Sequence, residues 1–228
     1  MEKVDKYGKG SNPTELIITD KYGKVKSIYQ NKLTLTTAGF YGPATLIGDV
    51  INVPDYSSAP SGLFAQTSDS IPITATTTEG TLIDGGVGTL SVPAETFKAG
   101  DSFVAMLSGI ISSVNNETIR VRVKSGLVIL GDSGLITLPT TTNKHWSLSI
   151  YFTIRRIGAA GVAQIMTSGA LTYSKDSSNA FEGIDFSSLN NTTFDTTVPN
   201  TLDITVQWGS NNVGNNIYTQ TFVLHKTY

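Results

Sequence analysis

The chain contains no cysteine in 228 residues. That excludes disulfides, thiolate metal sites and cysteine nucleophiles. Charge is scarce too: Asp, Glu, Lys and Arg make up 15% of the residues, against about 25% in ordinary globular domains. The net charge is −2 and no basic tract stands out, so nucleic-acid binding is not expected as the main role. There are only two histidines, His145 and His225. Long apolar runs are missing, so neither a transmembrane helix nor membrane insertion is expected. The opening Met1-Glu2-Lys3-Val4-Asp5-Lys6 has no apolar segment of the kind a conventional signal peptide requires.

What the chain does contain is apolar residues (39%) and 22 glycines, with Thr, Ser and Asn supplying most of the polarity. Thr and aromatic residues suit strands, while Gly, Asn and Asp suit turns. The expected fold class is therefore all-β. Three zones are distinguishable. Residues 1–38 hold two short β-prone runs, Leu16–Thr19 and Val25–Tyr29, around the turn Asp20-Lys21-Tyr22-Gly23-Lys24. This predicts a small hairpin, with Gly supplying a positive φ. Residues 39–86 are rich in Gly, Pro, Ser and Thr. They keep some alternation but have too few apolar residues for a core of their own, which predicts an extended neck or shaft in which chains intertwine. Residues 87–228 carry long runs with a period of two, as in Ile119-Arg120-Val121-Arg122-Val123-Lys124, Trp146–Ile154 and Leu202–Trp208. Such alternation gives strands with one wet face. With turn signals between them, it predicts an antiparallel sandwich or jelly roll. The chain ends almost within a strand pattern, near Trp208, Tyr218, Phe222 and Tyr228. A final strand at a sheet edge would need protection, which burial at a symmetric interface would supply.

Residues 42–56, Gly-Pro-Ala-Thr-Leu-Ile-Gly-Asp-Val-Ile-Asn-Val-Pro-Asp-Tyr, resemble a segment common in bacteriophage fibre proteins. There a Gly-Pro-Ala-Thr-Leu run leads through a short turn to a Pro and an aromatic. The later zone is similar to trailing domains of phage head and tail fibres in Leu90–Ala94, Phe97–Phe103, Asn190–Thr196 and Asp203–Gly209. The resemblance implies a homotrimer in which residues 1–38 anchor to other virion proteins, residues 39–86 form the trimeric neck, and residues 87–228 form a jelly-roll head of the tumour-necrosis-factor/C1q kind.

The residues give little sign of catalysis. His145 and His225 are isolated, each beside a lysine, and make poor zinc ligands without further partners. Gly131-Asp132-Ser133-Gly134 lacks the spacing of a nucleophile elbow and reads as a turn. Glycan cleavage needs two carboxylates roughly 5–10 Å apart. Asp176, Glu182, Asp185, Asp195 and Asp203 instead read as turn formers or solvated acids. Gly85-Gly86-Val87-Gly88 lacks the ending of a phosphate loop and reads as a hinge between neck and head. The sequons at Asn116 and in Asn190–Thr193 carry no weight without a secretory route. No metal, calcium loop or cofactor is expected, and the chain is read as non-enzymatic.

Binding is the better prospect. Asn and Ser side chains hydrogen-bond sugar hydroxyls, and an aromatic ring stacks on a sugar face. The loop after Trp208, with Asn211, Asn212 and Asn215, fits that description, as does the loop after Tyr173, with Asn179. These six residues are the expected binding residues. The function expected is that of a trimeric fibre or spike on the virion surface, touching a host-surface glycan or receptor. A capsid decoration or cement protein that binds no host is the alternative. A secreted lectin-like protein ranks lower because the signal segment it needs is not seen.

Overall fold

In the computed structural model the described residues are 62–178 and 180–228, together with 21–23 and the backbones of five short strands between residues 15 and 52. The chain divides into two compact units, Met1–Pro60 and Ser61–Tyr228.

In the first unit, β1 (Glu15–Thr19) pairs antiparallel with β2 (Val25–Tyr29). This is the hairpin the sequence predicts, and Gly23 lies at a φ of 76°, where a Cβ would be strained. β3 (Thr34–Thr36), β4 (Thr45–Ile47) and β5 (Val50–Asn52) form a small sheet with β5 in the middle. β5 runs parallel to β3 and antiparallel to β4. The side chains that carry the fibre resemblance in 42–56 lie outside the described residues.

The second unit is an all-β antiparallel sandwich. It opens with five short strands: β6 (Gly62–Gln66), β7 (Ile73–Thr74), β8 (Gly80–Thr81), β9 (Gly86–Gly88) and β10 (Ser91–Val92). Long strands follow: β11 (Ser102–Ser113), β12 (Glu117–Ser125), β13 (Val128–Asp132), β14 (Ile136–Leu138) and β15 (Thr141–Arg156). The last four are β16 (Gln164–Ser174), β17 (Phe181–Asn190), β18 (Asn200–Trp208) and β19 (Asn216–Lys226). One sheet has eight strands in the order β17-β16-β15-β11-β19-β6-β9, with β7 also beside β19. The other has six, β10-β18-β12-β13, with β14 beside β12 and β8 beside β18. The β11–β12, β14–β15, β17–β18 and β18–β19 connections cross between sheets, as in a jelly roll, whereas β15, β16 and β17 form a meander within one sheet.

Alternation dictates the core. Leu107, Ile111, Trp146, Leu148, Ile150, Leu171 and Phe222 of the larger sheet pack into one cluster with Ile119, Val121, Val123, Ile204, Val206 and Trp208 of the smaller. Interdigitating inner faces of this kind are what hold a sandwich together. Gly169 is required by this packing, because a Cβ there would stand 2.3 Å from the Phe186 ring. A side chain also ties the sheets together: Asn190 of β17 donates to the Ile129 carbonyl of β13 at 2.8 Å.

Three expectations are corrected. The sandwich begins at residue 61 rather than 87. Phe64, Ile73 and Leu82 are buried in its core, so the part of 39–86 from residue 62 onward belongs to the sandwich. These strands are two to five residues long, too short to show a period. Gly86–Gly88 is β9, paired with β6 rather than forming a hinge. Finally, the terminal strand β19 is not an edge. It lies between β11 and β6, and two of the aromatics cited for an interface, Trp208 and Phe222, are buried in the core.

Candidate functional site

Strand direction sorts the sandwich's loops into two ends. β11, β16 and β18 finish, and β12, β15, β17 and β19 begin, at the same end. The loops 114–116, 139–140, 175–180 and 209–215 therefore cluster there, with the turn after β7 joining them through the Asn216–Thr74 pairing. Both predicted binding loops stand at this loop end.

The loop after β18 is organised by a carboxylate. Glu117 shares the inward phase of Ile119, Val121 and Val123 on β12 and is buried. It accepts hydrogen bonds from Ser210 Oγ at 2.5 Å, Asn215 Nδ2 at 2.7 Å and the Thr118 N–H at 3.0 Å. Burial pushes this carboxyl up, but the Ser210 and Asn215 hydrogen bonds outweigh it and hold Glu117 below the usual range. The Asn215 Oδ1 in turn accepts from the Val114 N–H at 3.3 Å, joining the loops before β12 and β19. A tight turn caps the loop, with the Asn212 carbonyl accepting from the Asn215 N–H and its Oδ1 from the Gly214 N–H. Among the described residues, three of the four non-glycine residues at positive φ, Ala75 (45°), Asn116 (61°) and Asn143 (49°), lie at this end, where the surrounding hydrogen bonds hold otherwise unfavourable backbone in place.

The second loop is held by ion pairs. Asp176 accepts from the Thr142 N–H at 3.1 Å and lies 3.7 Å from Lys144 Nζ. Lys175 pairs with Glu182, which also accepts from the Tyr173 hydroxyl at 3.1 Å. Burial, reinforced by the bond to Glu182, pushes the Tyr173 phenol up to about 12.

These contacts correct half of the predicted site. Trp208 is 1% exposed and its indole N–H donates to the Ile73 carbonyl at 3.0 Å, so it cannot stack on a sugar. Asn215 is fully buried and Tyr173 is 4% exposed. Each is framework beneath its loop. Asn211 and Asn212 are exposed as expected, and Asn179 lies outside the described residues. Beside the two asparagines, Val213 is 91% exposed, an apolar residue at the tip that the sequence reading passed over. Glu117 was also missed, although its parity with the apolar residues of β12 signals an inward carboxylate.

The acids weighed for glycan cleavage are dispersed. Asp176 and Glu182 serve the loop just described. Asp185 is on the outer face of β17, Asp195 accepts from Thr197 at 2.8 Å, and Asp203 accepts from the Thr81 hydroxyl at 2.6 Å. At the opposite end, an apolar cavity of about 220 Å³ lies among Phe97, Phe103, Phe152, Phe194 and Leu224, with Asp101 and Lys226 on its wall. None of the predicted binding residues lines it.

The chain matches no protein-family model and no curated protein sequence. The reading of the site therefore rests on geometry. Asn211, Asn212 and Val213 offer amide donors and acceptors beside an apolar contact, on a loop fixed from below by Glu117. Such a surface suits recognition of a polar, hydroxyl-rich ligand.

Proposed function

We propose that this chain is a non-enzymatic structural component of a virus particle. It would be a homotrimeric bacteriophage fibre or spike, anchored through residues 1–38, with the sandwich as its projecting head. The observation that carries this reading is the polarity of the sandwich. Gly62, where the chain runs into it, pairs with His225, close to the terminal Tyr228, whose carbonyl accepts from the Ser102 N–H. Both ends of the sandwich chain thus lie at one end of the unit, and the Asn211–Val213 loop lies at the other. A module attached by one end presents the far loops to whatever the particle meets. Three weak sites per fibre, acting together, would give useful avidity for a host-surface glycan or receptor.

A second reading, a capsid decoration protein with no host-binding role, is favoured by a different feature: the broad, nearly uncharged outer face of the eight-stranded sheet, which would suit a particle-facing surface. Light scattering on the purified full chain separates the two first. The fibre predicts the mass of three 24.3 kDa chains at micromolar concentration. The mass of a single chain overturns the trimeric fibre and leaves the decoration reading.

A further inference from the structure

The two outer faces of the sandwich differ in chemistry. On the six-stranded sheet, the outward residues of β12 are Thr118, Arg120, Arg122 and Lys124, and they sit in an ion network. Arg120 Nε bonds Asp132 at 2.8 Å, Arg122 reaches Glu79 at 3.1 Å, and Lys124 reaches Glu79 at 3.3 Å. That face is built for water.

The outer face of the eight-stranded sheet is not. Register and burial place Val87, Ala65, Val223, Met106, Ser149 and Ala170 in one row across six strands. The next row runs His225, Val104, Tyr151, Ser168 and Ser187. The fixed charges among the described residues of this face are Asp185, on the edge strand β17, and Arg155 and Arg156, at the end of β15. Val87, Met106, Tyr151 and Leu189 are large apolar residues left exposed. Part of the polar surface around them is paired within the sheet. Ser108 pairs with Thr221 at 2.6 Å, Ser147 with Thr172 at 2.7 Å, and Ser102 with Thr153 at 3.1 Å. Hydroxyls that already hold partners lose little when water is removed, whereas unpaired ones cost more.

We infer that this face is the surface through which copies of the chain associate. The inference rests on the trimeric reading above and adds where the contact lies. The five long strands β17, β16, β15, β11 and β19, about 4.8 Å apart and about 30 Å long, offer roughly 700 Å², and the short β6 and β9 bring the face to the ~800 Å² each partner contributes to a stable interface. A second copy of this low-charge chain fits better than a charged partner, because the charges of the face lie at its margins, Asp185 on the edge strand and Arg155 and Arg156 at the end of β15, and its centre strands none.

The absence of cysteine allows a direct test on the full chain. Ala170→Cys puts one thiol at an exposed position midway along β16, one strand in from the edge strand β17. Leu127→Cys puts one at a hairpin tip that is 96% exposed. Labelling with a thiol reagent is run beside light scattering. We expect an oligomeric mass for both variants, and labelling of Cys at 170 at least tenfold slower than at 127, with the difference vanishing in denaturant. Equal labelling rates at a three-chain mass would overturn this face as the contact while leaving the trimeric fibre intact. Protection at a two-chain mass would support the face and overturn the trimer. Protection at a single-chain mass would overturn the inference, since the chain itself would then be the cover.

Discussion

At the scale of single residues, the same side-chain types serve opposite purposes according to phase. Trp208 was expected at a binding surface because a loop rich in asparagine follows it. Yet it shares its parity with Ile204 and Val206, and that phase takes the ring into the core. The loop signal and the strand signal conflicted, and burial of a large ring outweighs exposure. Trp208→Ala should therefore cost about 3–5 kcal/mol of stability, as deletion of a buried aromatic does. Asn212→Ala should cost far less and should act on ligand recognition. Urea unfolding of both variants checks the contrast. Glu117→Gln should destabilise by about 2 kcal/mol, the scale of charge-assisted hydrogen bonds, and should loosen the Ser210–Asn215 segment. Faster amide exchange at the Val114 and Asn215 N–H groups would report it. Asn211 and Asn212 were legible because a turn needs polar residues whatever lies beneath it. Asn215 was not, since nothing in the sequence tells an asparagine that faces a buried carboxylate from one that faces water.

At the scale of elements, the long strands were legible and the short ones were not. Phe103–Ile111, Thr118–Lys124, Trp146–Arg156, Leu202–Trp208 and Ile217–Lys226 each fall within an observed strand, because alternation over many residues is hard to produce by accident. β17 escaped notice. Its inward positions include Glu182, Ser188 and Asn190 beside Ile184 and Phe186, so polar residues fall on both faces. The short strands β6 to β9 read as neck for want of a period. A pair of truncations tests their place. Removing residues 1–60 should leave a β-rich unit that melts cooperatively. Removing residues 1–86 takes away Phe64, Ile73 and Leu82 from the core and should leave a chain that aggregates or lacks a melting transition. Circular dichroism with thermal denaturation decides between them. Equal melting temperatures for the two would place the boundary back at 86.

At the scale of the whole molecule, acid stability follows from the buried and paired carboxylates. At Glu79, burial raises the carboxyl, and the Thr205 hydroxyl with the Arg122 and Lys124 charges brings it below its ordinary value. At Asp132, burial again raises it, and Arg120 and the Gly134 N–H more than offset the rise. Glu117 is lowered as well. A carboxyl whose folded value lies below its unfolded one stabilises the fold above the unfolded value, and that contribution is lost as pH falls through the folded one. The melting temperature should therefore be level from neutrality to about pH 5 and should fall below about pH 4. In Glu79→Gln the fall should be shallower. A last consequence concerns the meeting of Gly62 with His225. Gly62 sits across a strand pair from a residue three short of the terminus, a gap that a few linking residues would span. The sandwich is thus nearly a closed ring in connectivity. Its strand order could be cut afresh at the hairpin tip of Leu127 without changing which strands are neighbours, so the fold depends on the cyclic succession of its elements and not on which one is made first.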